Sequence, residues 1–280
     1  MEMGKSKIKS VSLVISTYNR PDALKVCLES SIRQTVLPTE IIIGDDGSKK
    51  ETELMINEFK KRSPVVIHHV WHEDNGFRLA MMRNKSMAIA KSEYIIEIDG
   101  DIILHPCFIE DHLSEARKGC YVKGGRVNLN RELSEEICKT GKLLPINMLT
   151  KGIESKAENS IRLPWLAHLI SPFYRRNRSG ALGCNMSFWK SDLIRINGYD
   201  EFYEGWGGED GDFGCRLQMS GIKKRYLKFS GIVYHLWHED KYMYNKDLNF
   251  NYSMSCKARG IIRCENGIDK YLKNNETGIR

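Results

Sequence analysis

The chain has 280 residues, 41% apolar and 28% charged, which suits one large α/β domain or two small ones and excludes a disordered or fibrous protein. Forty-three basic against thirty-six acidic residues leave a formal charge of +7. That balance suits anionic partners such as nucleotides, lipid headgroups or nucleic acid without choosing among them.

No apolar run approaches the ~20 residues of a bilayer-spanning helix, and Met1-Glu2-Met3-Gly4-Lys5 is too polar for an export signal. A cytoplasmic protein with reduced thiols is expected. Its eight cysteines are scattered without a C-x-x-C pair, so no zinc site is expected either. In chain order, Val11–Ser16 reads as a buried strand. A helix follows from Pro21, which suits a first turn, with Ala23, Leu24, Cys27, Leu28 and Ile32 at helical spacing. Glu40–Ile43 is a second strand, residues 50–62 a polar helix and Val65–Ile67 a third strand. Phe77, Ala80, Met81, Met87 and Ala88 mark one helical face before a fourth strand, Tyr94–Ile98. This alternation predicts a mostly parallel sheet with helices on both faces, whose ligands bind beyond the carboxyl ends of the strands.

Those ends carry the chemistry. The first strand runs into Thr17-Tyr18-Asn19-Arg20, the second into Asp45-Asp46-Gly47-Ser48 and the fourth into Asp99-Gly100-Asp101. Either Asp-rich tripeptide alone is explained by a turn or a helix cap. Both at one sheet edge call for a cation or a hydrogen-bonding ligand, because unpartnered buried carboxylates are costly.

Residues 130–180, with Pro145, Pro164 and Pro172, read as an excursion from the core. Gly183–Phe188 resumes as a strand and a short helix follows from Lys190. Gly205-Trp206-Gly207-Gly208-Glu209-Asp210 then opens a helix through about Ser220. A final strand pair is expected over 223–235, and the last forty residues as a packed appendage or a partly disordered tail.

The runs VSLVISTYNRPDAL, IIIGDDGS and NGFRLAMMRNKSMAIAKSEYIIEIDGD resemble the nucleotide-sugar half of a family 2 glycosyltransferase of GT-A fold. ALGCNMSFWKSDLIRINGYDEFYEGWGGEDGDFGCRL is similar to the C-terminal segment of galactosyltransferase-type enzymes, including β-1,4-galactosyltransferases and bacterial chondroitin polymerases. The resemblance covers about 11–125 and 181–238. It implies a Rossmann-like, mixed, mostly parallel sheet in four parts: a nucleotide-sugar-binding half (1–125), a variable insertion or lid (126–180), an acceptor-binding and catalytic half (181–240) and a C-terminal appendage (241–280).

The implied reaction is inverting, metal-dependent transfer of a sugar from a UDP-sugar to a hydroxyl of a glycan or lipid-linked glycan, in surface polysaccharide or lipopolysaccharide synthesis. Galactose or N-acetylgalactosamine is favoured, with glucose and N-acetylglucosamine open. A divalent cation would neutralise the charge growing on the departing diphosphate, and a histidine in its shell moves the preference from Mg²⁺ toward Mn²⁺. By the resemblance Asp101 holds the metal, and Asp99 contacts the metal or the ribose. His235 is the favoured nitrogen ligand and His238 its rival: period 2 sends residues three apart to opposite faces of a strand, so one of the two is expected to serve.

Asp210 matches the catalytic base. It shares a helical face with Phe213, Gly214 and Leu217, where burial favours proton uptake and the helix dipole opposes it. Glu209 would bind the acceptor or orient the site, and Trp206 would either stack on a sugar or join the core. Thr17, Tyr18 and Arg20 would line the donor base, with Asp45 or Asp46 on the uracil or ribose. Arg78 and Arg83, read as flanking the helix before the fourth strand, are the candidate diphosphate ligands, one of which serves equally well as a structural ion-pair residue.

Residues 162–178 join aromatics and aliphatics to a basic end, which suits an acceptor lid or peripheral contact with the inner face of a membrane. A nucleotidyltransferase also uses paired carboxylates and a nucleotide, but GWGGED has no evident task in that chemistry. A non-catalytic nucleotide-sugar or glycan-binding module would not need the base. Nucleic acid is not expected as a partner, because the basic residues are dispersed.

Overall fold

The computed structural model describes residues 8–171, 173, 181–239 and 244–273. Its first half alternates as β1 (Val11–Thr17), α1 (Pro21–Ser31), β2 (Glu40–Asp45), α2 (Lys50–Lys60), β3 (Val66–Trp71), α3 (Leu79–Ile89) and β4 (Tyr94–Asp99). Then come β5 (Ile102–Leu104), α4 (Phe108–Glu115), β6 (Cys120–Gly124), β7 (Val127–Leu129), α5 (Arg131–Thr140), β8 (Ile153–Ser155) and α6 (Pro164–Ile170). The remainder holds β9 (Met186–Trp189), α7 (Lys190–Arg195), α8 (Glu209–Met219), β10 (Lys223–Leu227), β11 (Val233–His235), α9 (Lys246–Ala258) and α10 (Asp269–Lys273).

Every residue of β1 and β2 is buried, as a sheet covered on both faces requires. Seven strands lie in the order β10-β6-β9-β4-β1-β2-β3. All neighbours run parallel except β9, which enters antiparallel between β4 and β6. One core packs Leu13, Ile15, Ile41, Ile43, Ile96 and Ile98 under α1, α2 and α4. The other packs Val14, Ile42 and Ile95 under α3, α7 and α8. In β4, period 2 therefore puts Glu97 and Asp99 on the α3–α8 side with Ile95.

A second sheet, β5-β11-β7-β8, stands over a third core formed with Ala23, Val26 and Ile137. The expected strand pair over 223–235 is corrected here. β10 extends the large sheet beside β6, whereas β11 pairs with β5 and β7 in the small one. Between them Phe229 and Gly231 take positive φ, and a Cβ at Gly231 would come within 2.4 Å of the Leu227 side chain, so the chain breaks away from β10.

The 130–180 excursion contains a true core helix. The Asn130 side chain caps α5 by accepting from the Leu133 N–H at 3.0 Å, Gly141 closes it in the left-handed conformation, and Leu133 and Ile137 enter the third core. Of the proposed lid, Arg162 forks onto Asp111 and α6 leaves Trp165 and Leu169 exposed, while residues 172 and 174–178 lie outside the described residues. The C-terminal segment packs as α9 and α10, and Ile268 is buried in the same core as Phe213. Among the described residues no helix is long and apolar enough to cross a membrane.

Candidate active site

The register of β4, β1 and β2 brings the three motif-bearing ends together, with Ser16 opposite Asp99 and Thr17 opposite Asp45. Gly100 makes this approach possible. Its N–H donates to Ser16 O at 2.7 Å, and a Cβ there would lie 3.0 Å from that oxygen and 3.1 Å from the Thr17 side chain. Asp45 and Asp46 are buried. Asp45 accepts from the Ser48 N–H and meets His69 Nε2 at 3.0 Å, while Asp46 accepts from the Arg78 N–H and meets His72 Nε2 at 2.5 Å. Asp45 thus fixes the loop, and Asp46 borders the adjoining recess lined also by Tyr18, Asp74, Gly76 and Phe77. Tyr18 donates to Asp74 Oδ2 at 2.8 Å across this recess.

Asp101 sits where the antiparallel pairing of β5 and β11 sets Ile102 against His235. Its Oδ1 is 3.7 Å from His235 Nε2 and its Oδ2 is 3.5 Å from His238 Nε2. The expectation that one histidine faces away is corrected: β11 ends at His235, so strand alternation no longer governs His238. Among the described residues these three form a group whose ligand atoms all lie within 4.8 Å of one another. Asp101 Oδ1 is buried without a hydrogen-bond partner, and Arg20 Nη1 lies 3.1 Å from Oδ2. Burial holds the His235 imidazole down at about 4, so it is neutral at pH 7 with a lone pair to offer. An orphaned carboxylate oxygen with two imidazoles fits a divalent cation of the Mn²⁺ or Mg²⁺ class, the nitrogens favouring the former. Asp99 lies outside the group, drawn instead toward Arg83.

Arg83 organises the rest. It is not a residue flanking the helix but a buried one inside α3. Its Nε lies 2.6 Å from Glu97 Oε1, its Nη2 3.3 Å from Asp99 Oδ1, and its Nη1 2.8 Å from Asp210 Oδ1 and 3.8 Å from Glu209 Oε1. One guanidinium thus serves four carboxylates, leaving nothing for a diphosphate. The imbalance shows in their protonation. Burial pushes Glu97 up to about 8 and Glu209 to about 7, and desolvation brings Asp99 to about 6, each against the pull of Arg83.

Stability of the metal-free protein should therefore fall as pH rises from 6.5 to 8.5. Unfolded glutamates, with pKa about 4.3, are ionised throughout that window, while native Glu209 holds its proton up to about pH 7 and Glu97 up to about pH 8, above which the slope fades. Thermal unfolding in EDTA is expected to show this slope, and Glu97→Gln to flatten it. A wild-type midpoint that is constant or rises over the window would contradict the assignment.

Asp210, in the first turn of α8, accepts from Arg83 through Oδ1 and from the Gly183 N–H through Oδ2 at 2.8 Å, with 26% of its side chain exposed. Gly183 admits both groups, since a Cβ there would lie 2.1 Å from Arg83 Nη2 and 2.7 Å from Asp210 Oδ1. Phe213 and Leu217 are fully buried on the inward side of the same helix. Trp206 is not core: it is 41% exposed, and the Lys246 ammonium lies 5.3 Å from the ring centroid. The adjoining Gly205 has φ +73°, and a Cβ would strike the Tyr244 ring at 2.7 Å.

The structure thus gathers Asp99, Asp101, His235, His238, Arg20, Arg83, Glu209 and Asp210 around one edge, with Thr17, Tyr18, Asp46 and Arg78 beside it. Glu97, Tyr199, His69 and His72 were not anticipated. A glutamate inside the apolar run of β4 was a readable signal, because such a position demands a buried partner. Tyr199, which donates to both Glu97 oxygens at 3.0 and 2.9 Å, gave none.

Residues 12–186 match the sequence model of glycosyl transferase family 2, and residues 166–239 that of the N-terminal domain of galactosyltransferase. The chain is 28% identical over 247 residues to chondroitin synthase of Escherichia coli, covering 81% of this chain and 35% of that protein. It is also 28% identical over 229 residues to hyaluronan synthase of Pasteurella multocida, covering 75% of this chain and 23% of that protein. The chain therefore spans about a quarter to a third of the length of these relatives. S. aureus TarS 1–349, solved in complex with UDP-GlcNAc, superposes with a TM-score of 0.60 at 17% identity, covering 93% of this chain and 69% of that one. The likeness shows the GT-A fold.

Proposed function

The chain belongs to glycosyl transferase family 2, and from that premise we propose that it transfers a sugar from a UDP-sugar to a hydroxyl of a glycan acceptor, with inversion and with a divalent cation. The observation that carries the reading is the pairing, on one sheet edge, of a metal-ligand group (Asp101, His235, His238) with a carboxylate whose two oxygens are held by Arg83 and the Gly183 N–H.

Asp101, His235 and His238 would hold Mn²⁺ or Mg²⁺. When bound, the cation supplies positive charge to the diphosphate as it departs. The chain's own residues do the rest. Asp210, fixed in plane by its two donors, takes the proton from the acceptor hydroxyl. The hydroxyl oxygen forms its bond to the anomeric carbon as the bond from that carbon to the phosphate oxygen breaks, and the electron pair leaves on UDP. A direct displacement of this kind inverts the anomeric centre. Glu209, about half protonated at neutrality, is suited to hydrogen-bonding an acceptor hydroxyl, and the exposed face of Trp206 to lying against a sugar ring. The galactosyltransferase match at 166–239 supports a galactose-type sugar, and the likeness to a chondroitin synthase and a hyaluronan synthase supports a role in polysaccharide synthesis.

The test is UDP release with Mn²⁺ from UDP-galactose, UDP-N-acetylgalactosamine, UDP-glucose and UDP-N-acetylglucosamine. One donor is expected to be consumed slowly without acceptor and protected by EDTA. Asp101→Ala should lose that turnover and weaken Mn²⁺-dependent UDP binding on the order of 10–100-fold or more. Release of pyrophosphate instead of UDP, or undiminished UDP binding by Asp101→Ala, would overturn the reading.

A further inference from the structure

A diphosphate needs fixed cations that its binding site does not already neutralise. The following inference rests on the UDP-sugar reading and names the residue that answers that need. The arginines expected at the diphosphate are committed elsewhere. Arg83 is shared among four carboxylates, and Arg78, whose Nε is also buried without a partner, is turned onto Glu73 O through Nη2 at 2.6 Å. Arg20 is 3.1 Å from Asp101 and donates to Trp237 O at 3.2 Å.

Arg126 is different. It stands between β6 and β7, after Gly124-Gly125, and its backbone is pinned on both sides: Asn185 Nδ2 donates to Gly125 O at 2.7 Å and Asn159 Nδ2 to Arg126 O at 3.0 Å. The side chain reaches Cys184 Sγ through Nη1 at 3.8 Å, a weak acceptor, and its Nε is buried with no hydrogen-bond partner. Among the described residues no carboxylate pairs with it. A guanidinium with five donors and one thiol acceptor is an unfinished site.

Its place is informative. Val127, the next residue, pairs with Tyr234 beside His235, and Cys184 adjoins Gly183, whose N–H holds Asp210. The guanidinium, 3.8 Å from Cys184 Sγ, is thus held on a segment that leads from the residue next to Gly183 to the strand paired with His235, the interval between the carboxylate base and the metal-ligand group. The leaving phosphates must occupy the same interval, since the bond that breaks lies between cation and base.

We propose that Arg126 binds the donor diphosphate, forking onto phosphate oxygens and taking up the charge that develops on UDP as the glycosidic bond breaks. An acidic group on the acceptor would attract the same guanidinium, and the experiment separates the two. UDP and uridine are titrated by calorimetry in Mn²⁺ into wild type, Arg126→Met and Arg126→Gln. Both variants should bind UDP roughly 10–100-fold more weakly than wild type while uridine affinity stays unchanged, because uridine lacks the phosphates. Unchanged UDP affinity would overturn the assignment and leave an acceptor anion as the ligand. Loss of uridine together with UDP in both variants would overturn it in favour of a packing role. A wild-type protein that binds neither ligand would overturn the UDP-donor reading and this inference with it, whereas failure of the variants alone leaves that reading intact.

Discussion

Asp210→Asn is expected to cut glycosyl transfer by about 10²–10⁴-fold, the range typical of a lost general base, while UDP affinity in Mn²⁺ stays within a few-fold of wild type. The separation follows from geometry. Asp210 is not among the clustered metal ligands, so the group removed acts on the acceptor proton rather than on the nucleotide. The substitution is isosteric but not silent. Both carboxylate oxygens accept, one from Arg83 and one from the Gly183 N–H. Either orientation of an amide sets its NH₂ against one of these donors, at a cost of about 1–3 kcal/mol. The unfolding midpoint therefore has to be measured alongside turnover: a large loss of transfer in folded protein identifies the base, and near-full turnover refutes it. Glu209→Gln is the companion variant. Being already about half protonated at pH 7 in the native protein, Glu209 should lose less on neutralisation than Asp210. A steeper loss in Glu209→Gln would transfer the role to it.

Arg83→Met should destabilise the fold by about 3–5 kcal/mol, the cost of stripping a buried charge network of its partner. At 2–4 °C per kcal/mol for a chain of this size, the unfolding midpoint should fall on the order of 10 °C. The loss centres on Glu97, fully buried in β4 and left with Tyr199 as its hydrogen-bond donor. Even beside Arg83 burial pushes this carboxyl up to about 8, so without the arginine it stays protonated to still higher pH. The defect should accordingly be smaller at pH 6 than at pH 8.5, and Glu97→Gln should recover part of it. Arg83→Lys should not restore the wild type, because a single ammonium cannot face Glu97, Asp99 and Asp210 at once. A midpoint unchanged in Arg83→Met would show that the network contributes nothing to stability.

Much of this architecture was readable beforehand because apolar runs ending in acids have few physical interpretations. Val11–Ser16, Glu40–Ile43 and Tyr94–Ile98 had to be buried strands, and Asp45, Asp46, Asp99 and Asp101 at the ends of the latter two had to meet at one edge. Asp101 and Asp210 came from resemblance, and the geometry sets each in a setting suited to its expected task. The failures share a cause. Arg83 among Met81, Met82 and Met87 looks in sequence like any helical arginine, and only the tertiary contact with β4 and α8 reveals four carboxylates around it. His238 was set aside by a periodicity that holds within a strand, but the strand stops three residues earlier. The tie of Asp45 to His69, on the adjacent strand β3, is likewise invisible to local pattern. The C-terminal segment reads as featureless since its anchors, Asn249, Cys256 and Ile268, are few and mixed in character.

The antiparallel strand β9, set between β4 and β6, governs the order in which the protein can be assembled. The β4 edge, Tyr94–Asp99, receives its partner from Met186–Trp189, about 90 residues later in the chain. At ribosomal rates of about 5–20 residues per second, a nascent chain holds that apolar edge open for roughly 5–20 s. During that interval the edge is free to pair with another chain. Sheet completion is consequently late and non-local, so slow refolding and loss to aggregation should arise mainly from chains that have formed β1 to β4 and still await β9.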